Sequence, residues 1–139
     1  WNDMLVILIA DHGMPYPSTL TTGAEERQRI PMIWTGGALK QSGTEVTTYC
    51  SQADLAATLL AQLGIAHDDF IFSHDIFDPN QPHYAFWTWN NAFGLKDNEG
   101  KIIYNLTGEK TIQSEGDAPA YEQTGKAIVQ TIHQDIRKR

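Results

Sequence analysis

"MLVILIADHGM", residues 4–14, sets seven apolar residues ahead of an Asp-His-Gly triplet, and the fold class turns on how that run is read. Apolar residues without polar alternation predict a strand covered on both faces, as in parallel sheets flanked by helices. Asp11 and His12 then stand where the strand ends. Inside a strand adjacent side chains point to opposite faces, whereas beyond its carboxyl end both can turn toward one point. Gly13 gives the backbone freedom for that turn. Ligand crevices of open α/β sheets lie at such strand ends, which makes the triplet a candidate site.

The remaining chain limits what that site can serve. With 139 residues, 41% of them hydrophobic and four of them Trp, one sizeable core can be buried, with room for a small second lobe. Ten basic against seventeen acidic residues give a formal charge of -7, which argues against nucleic acid and against an anionic membrane surface. The single cysteine, Cys50, excludes an internal disulfide and a thiolate metal cluster. No apolar run reaches the roughly 20 residues that cross a bilayer, and no leader precedes the first strand. Trp1 in place of an initiator Met, so close to a strand of central character, predicts a soluble piece of a longer chain. Strand edges opened by such a truncation favour dimerisation or strand exchange.

Outward from the first strand, "PYPSTLTTGAEERQR" reads as a surface loop over its carboxyl end. "IPMIWTGG", residues 30–37, is a second short strand, with Pro31 at its entry. "SQADLAATLLAQLGI" predicts a helix: Ser51 as amino-terminal cap, Asp54 three residues later, an apolar face of Leu55, Leu59, Leu60 and Leu63, and Gly64 as stop. Strand, strand and helix in this order suit an α/β layer. "HDDFIFSHDIFDPNQPH" is a turn-rich linker. "YAFWTWNNAFGLKDNEGKIIYNL" then predicts a β-hairpin about the turn "KDNEG". Residues 107–119 read as a polar loop, and apolar positions 121, 128, 129, 132 and 136 mark a final amphipathic helix with a basic end. The domains expected are 1–80, an α/β part, and 81–139, a hairpin with a carboxyl-terminal helix.

Taken in order, "ADHG", "IPMIWTGG", "SQADLAATLLAQLGI", "FSHDIF" and "YAFWTWNNAFG" resemble the carboxyl-terminal part of sulfatase-like proteins of the alkaline phosphatase superfamily. Within it they resemble the lipoteichoic acid synthase or phosphoglycerol transferase branch. The resemblance implies the carboxyl-terminal portion of an alkaline-phosphatase-like sheet with flanking helices. It also implies one divalent metal ion (Mn, Mg, Zn or Ca), held here by Asp11 and His12. The other ligand and the nucleophile, a Thr, Ser or modified Cys, would lie upstream of Trp1, leaving this piece alone inactive. Implied substrates of the whole enzyme are a phospholipid headgroup or a sulfated or phosphorylated glycan. A membrane-anchored parent with an extracytoplasmic catalytic domain is implied too. Mixed carboxylate and imidazole ligation suits such ions, although two protein ligands are too few for firm binding.

Each candidate has a plainer reading. Asp11 can shape a strand-end turn by bonding neighbouring backbone. His67, His74, His83 and His133 fit exposed or capping roles better than substrate contact. Thr19, Thr21 and Thr22 are loop hydroxyls with no helix start after them, poor candidates for the nucleophile. Arg27 and Arg29 fit solvated loop residues. Asp54 fits support of a helix amino terminus. Phe86, Trp87, Trp89 and Phe93 fit the core on one hairpin face, with an alternate face able to line a lipid or glycan pocket. "MPYPSTLTTGAEERQR" contains neither Lys nor His, whereas true sulfatases carry a sulfate-contacting Lys there; this favours the transferase branch over sulfate ester hydrolysis. A non-catalytic glycan- or lipid-binding module is the alternative of another class.

Overall fold

The computed structural model of the chain describes residues 1–14, 16 and 19–139; the expected loop at 15–29 therefore lies in part outside the described residues. Two compact units form, Trp1–Thr47 and Thr48–Arg139. The second unit begins ahead of the first long helix; Ser51, just before that helix, bonds Phe86 of the following sheet, and the helix itself bonds the 73–76 loop. The architecture is mixed α/β, with a two-stranded sheet in the first unit and a four-stranded antiparallel sheet with a long helix in the second.

In the first unit β1 (Val6–Ile9) pairs with β2 (Met32–Thr35) in the register Val6↔Thr35 to Ile9↔Met32. The pairing is antiparallel, so the parallel arrangement expected for the first strand is not what these two strands make. Nor is β1 covered on both faces: cross-strand neighbours Leu8 and Ile33 are each 56% exposed. Both strands remain apolar on both faces, a pattern of strands with neighbours on either side. A short helix, α1 (Glu25–Gln28), interrupts the expected loop.

The second unit opens with α2 (Asp54–Gln62). Its end is as expected. Gly64 takes a φ of +69°, Gly64 N–H donates to Ala61 O, and Ile65 N–H donates to Leu60 O, the paired bonds of a Schellman stop. Its start is built differently. Ser51 Oγ does not cap the helix; it accepts from Phe86 N–H at 2.8 Å and donates to Phe86 O at 3.4 Å. A single hydroxyl thus occupies both backbone groups of a residue on an edge strand, which would otherwise invite pairing. Asp54 reaches back instead, Oδ2 accepting from Ser51 N–H at 2.7 Å, and Ser73 Oγ bridges Ala57 N–H (2.8 Å) and Ala53 O (2.6 Å) in the first turn. The face of α2 that is fully buried is accordingly Asp54, Ala57 and Thr58, while Leu63 is exposed.

The expected hairpin is half of a larger meander. β3 (Ala85–Trp89), β4 (Ala92–Lys96), β5 (Lys101–Asn105) and β6 (Lys110–Glu115) follow one another antiparallel in spatial order. "KDNEG" is the β4–β5 turn, and the supposed single run before it holds two strands joined at Asn90, whose φ is 45°. β6 takes up the middle of the expected polar loop; its outward Lys, Gln, Ser and Glu side chains gave it a loop's composition although the strand pairs with β5, with a register irregularity at Ile103/Tyr104 that skips Ile112. α3 (Ala118–Lys138) closes the unit, capped by Asp117 Oδ1, which accepts from Ala120 N–H at 3.1 Å. Between α3 and one sheet face lies the core: Phe93, Leu95, Ile102 and Tyr104, with Tyr121, Ile128 and Val129 packed on it. Phe93 stacks between Phe86 and Tyr104, with centroids 6.0 and 5.5 Å away. Alternation along β3 sends Trp87 to the opposite face, where its ring lies over Gly94. The four aromatics therefore divide between two faces. Among the described residues Trp87 Nε1 is the buried side-chain polar atom without a partner.

Asp97 locks the turn to the helix. Its Oδ1 accepts from Glu99 N–H (2.8 Å), Gly100 N–H (3.0 Å) and the Tyr121 hydroxyl (2.5 Å). Burial pushes its carboxyl pKa up, but those donors outweigh it and hold the group below its ordinary 3.8. A folded pKa below the unfolded one means stabilisation present above the ordinary Asp range and lost as pH falls through the folded value. Asp97→Asn is therefore expected to lower the urea midpoint more at pH 6 than at pH 2.5. Equal losses at both would show that the ionised form has no special part.

Candidate metal centre

Asp11 and His12 follow β1 directly, after Ala10 N–H has donated its last bond across the ribbon to Pro31 O at 3.3 Å. The ladder ends there because Pro31 precedes β2, and the chain is released to bend at residues 11 and 12. Both side chains face water, 89% exposed for Asp11 and 76% for His12. His12 Nε2 stands 3.6 Å from Asp11 Oδ2. Two ligands each about 2.1 Å from one ion, at a near-tetrahedral angle, stand about 3.5 Å apart, so the pair fits a shared cation.

The other ring nitrogen is engaged: His12 Nδ1 lies 3.0 Å from Gly13 O. With the proton on Nδ1 donated to that carbonyl, Nε2 carries the lone pair, the arrangement in which metal-ligating histidines are held. Gly13 is needed here for space and not, as the sequence suggested, for backbone freedom: a Cβ would fall 1.8 Å from Arg27 O. Thus α1 packs against the turn that orients the pair. Asp11 Oδ1 accepts from His12 N–H at 3.0 Å, which is also the bond of the plainer, turn-shaping reading. Among the described residues no group of three or more His, Cys, Asp or Glu gathers about a common point, so the pair supplies two ligands only.

The other candidates have these surroundings. Thr19, Thr21 and Thr22 are exposed, as is Arg29. His67 Nδ1 lies 3.3 Å from Ile65 O and His83 Nε2 lies 3.0 Å from Asp78 O, ordinary local roles. His133 is exposed on α3. His74 is different. Its ring Nδ1 stands 3.2 Å from Asp54 Oδ1, which also accepts from His74 N–H at 2.9 Å, and the ring meets Tyr84 edge-on at 5.6 Å. Sequence reading named both residues without joining them, because a helix start and a linker residue twenty positions later share no periodicity. Asp54 also acts at a distance: burial first and its negative charge second raise the pKa of the Cys50 thiol and of the Tyr84 hydroxyl.

Comparison with protein-family profiles, with curated protein sequences and with solved structures finds no match to this chain. No helix among the described residues is long and apolar enough to cross a membrane.

Proposed function

We propose that this chain is the carboxyl-terminal part of a metal-dependent enzyme of the phosphoglycerol transferase and sulfatase type, acting on phosphate or sulfate esters of the cell envelope. The observation that carries the reading is the Asp11–His12 pair: a carboxylate oxygen and an imidazole Nε2 at the separation of two ligands of one ion, exposed at a strand end, with Nδ1 held by Gly13 O. The ordered motifs support the same assignment. A divalent ion bound there would supply Lewis acidity toward a phosphoryl or sulfuryl oxygen. Asp11 contributes negative charge and His12 a neutral donor whose tautomer the Gly13 carbonyl selects. The remaining ligand and the nucleophilic hydroxyl are assigned to the stretch upstream of Trp1. Phosphoglycerol transfer is preferred to sulfate hydrolysis because the loop after the triplet lacks Lys.

The bond from His12 N–H to Asp11 Oδ1 favours a second reading, in which the triplet only shapes a turn and the chain is a binding module. Mn²⁺ titration separates the two. Paramagnetic broadening of NMR signals is expected first at residues 10–14, saturating weakly because two ligands hold the ion, and is expected to vanish in His12→Ala. Broadening that ignores residues 10–14 would leave the turn-shaping reading. In the whole reading frame, Asp11→Ala and His12→Ala are each expected to lower kcat/KM for ester cleavage at least about a hundredfold, since even partners of metal ligands cost 10–100-fold.

A further inference from the structure

Asp54 and His74 do more than close α2. They form the polar end of a groove, about 610 Å³ in volume, between the start of α2, the loop before His74 and one face of α3. All of its walls belong to the second unit. Its apolar side is Phe72, Phe86, Ile128 and Ile132. The volume lies in the range of small-molecule sites, and a largely apolar wall with a few fixed polar groups is how such sites are lined.

The polar end has a definite hydrogen-bonding sense. Asp54 Oδ1 faces His74 Nδ1, and the same carboxylate accepts from Ser51 N–H and His74 N–H, so its lone pairs are directed at donors and its side chain is only 7% exposed. In the neutral imidazole a carboxylate so placed selects the tautomer with the proton on Nδ1. Nε2 is then an acceptor, and no hydrogen bond among the described residues reaches it although the His74 side chain is 23% exposed. Tyr84, against the same ring, borders the groove as well.

Charge narrows the occupant further. Among the described residues no Lys or Arg lines the groove, a buried carboxylate stands at its polar end, and the chain carries a formal charge of -7. An anionic ligand finds no counter-charge there and meets repulsion. We propose that this groove is a binding site for a neutral, hydroxyl-bearing molecule with a flat or short apolar body, its hydroxyl donating to His74 Nε2 and its body lying along Phe86, Ile128 and Ile132. A phenol satisfies both ends: the ring fills apolar space, and the hydroxyl replaces the water that an imidazole acceptor would otherwise hold.

Three probes of one shape test this on the intact chain by amide NMR titration: 4-ethylphenol, its methyl ether 4-ethylanisole, and 4-ethylbenzoate. Saturable shifts at Thr124, Ile128 and Ile132 are expected with the phenol, with at least tenfold weaker binding of the ether, which has no donor, and of the carboxylate. His74→Phe is expected to bring the phenol down to the ether's affinity. Ile132→Trp, which fills the groove without touching the Asp54 bonds, is expected to abolish binding of both and serves if His74→Phe folds poorly. The proposal is overturned if the ether binds as tightly as the phenol, if the benzoate does, if neither variant weakens the phenol, or if no probe gives saturable shifts at those residues.

Discussion

Asp54→Ala is expected to destabilise the second unit by about 3–5 kcal/mol, the range for removing one partner from a buried charged cluster. Three N–H groups lose their acceptor at once: Ser51 N–H, His74 N–H and His74 Nδ1. Each donor left unsatisfied in a buried place costs roughly 1–3 kcal/mol, and those of His74 fall at the low end because that side chain is partly exposed. Neighbouring bonds fail with them. Thr58 Oγ1 donates to His74 O and accepts from Ile76 N–H, and Ser73 Oγ closes the first turn of α2, so the loop 73–76 is held to the helix at several points that assume one another. Asp54→Asn keeps the shape and one acceptor oxygen but offers an NH₂ where a second acceptor is needed; about half the loss is expected. Urea unfolding with an unchanged slope measures both. The charge has its own readout: since the Asp54 carboxylate adds to burial in raising the Cys50 pKa, Asp54→Asn is expected to let the thiol be alkylated at lower pH. A loss under 1 kcal/mol for the Ala variant would mean that water reaches these donors and that the cluster is not a structural latch.

How much of this was legible beforehand depends on whether the controlling interaction is local. The Gly64 stop, the Asp-anchored "KDNEG" turn and the apolar stripe of α3 as far as Ile132 are set within a few residues, and each is where the pattern puts it; Ile136, the last position of that stripe, is 64% exposed. Failures occur where a distant partner decides. Leucines mark one face of α2, yet the most buried face carries Asp54 and Thr58, because the 73–76 backbone needs their hydrogen bonds more than it needs apolar surface. β6 has the composition of a loop, and only the unpaired edge of β5 makes it a strand. The run at β1 looks buried because its residues are apolar on both faces; in this chain antiparallel β2 is its sole paired strand among the described residues, and Leu8 remains exposed. For the candidate centre, Asp11 and His12 are adjacent in sequence and could be named from it. The Asp54–His74 pair spans twenty positions and could not.

Gly125→Val is expected to cost about 3 kcal/mol, although on an isolated helix the same change would be mildly favourable, Gly being among the poorest helix formers. Sterics decide the sign. Gly125 is the one fully buried position of α3, and a Cβ there would fall 2.0 Å from Phe93 Cε2 and 2.4 Å from Cζ. Phe93 has no exposed surface and is stacked between Phe86 and Tyr104, so its ring cannot swing aside without disturbing both. Relief must come from lifting α3 off β4, which opens the contact with Tyr121, Ile128 and Val129 along the rest of the interface. Overpacking of a tight core costs roughly 1–3 kcal/mol and more when the neighbours are fixed, which exceeds the propensity gain of about half a kcal/mol. Phe93→Leu supplies the control. Alone it leaves a cavity and is expected to cost about 1–2 kcal/mol; combined with Gly125→Val, the leucine leaves room for the new methyl groups, and the double variant is expected to be more stable than the sum of the two losses by at least 1 kcal/mol. Strict additivity would place the strain of Gly125→Val elsewhere than at the Phe93 ring and would remove close helix-to-sheet approach as the reason glycine stands at this position.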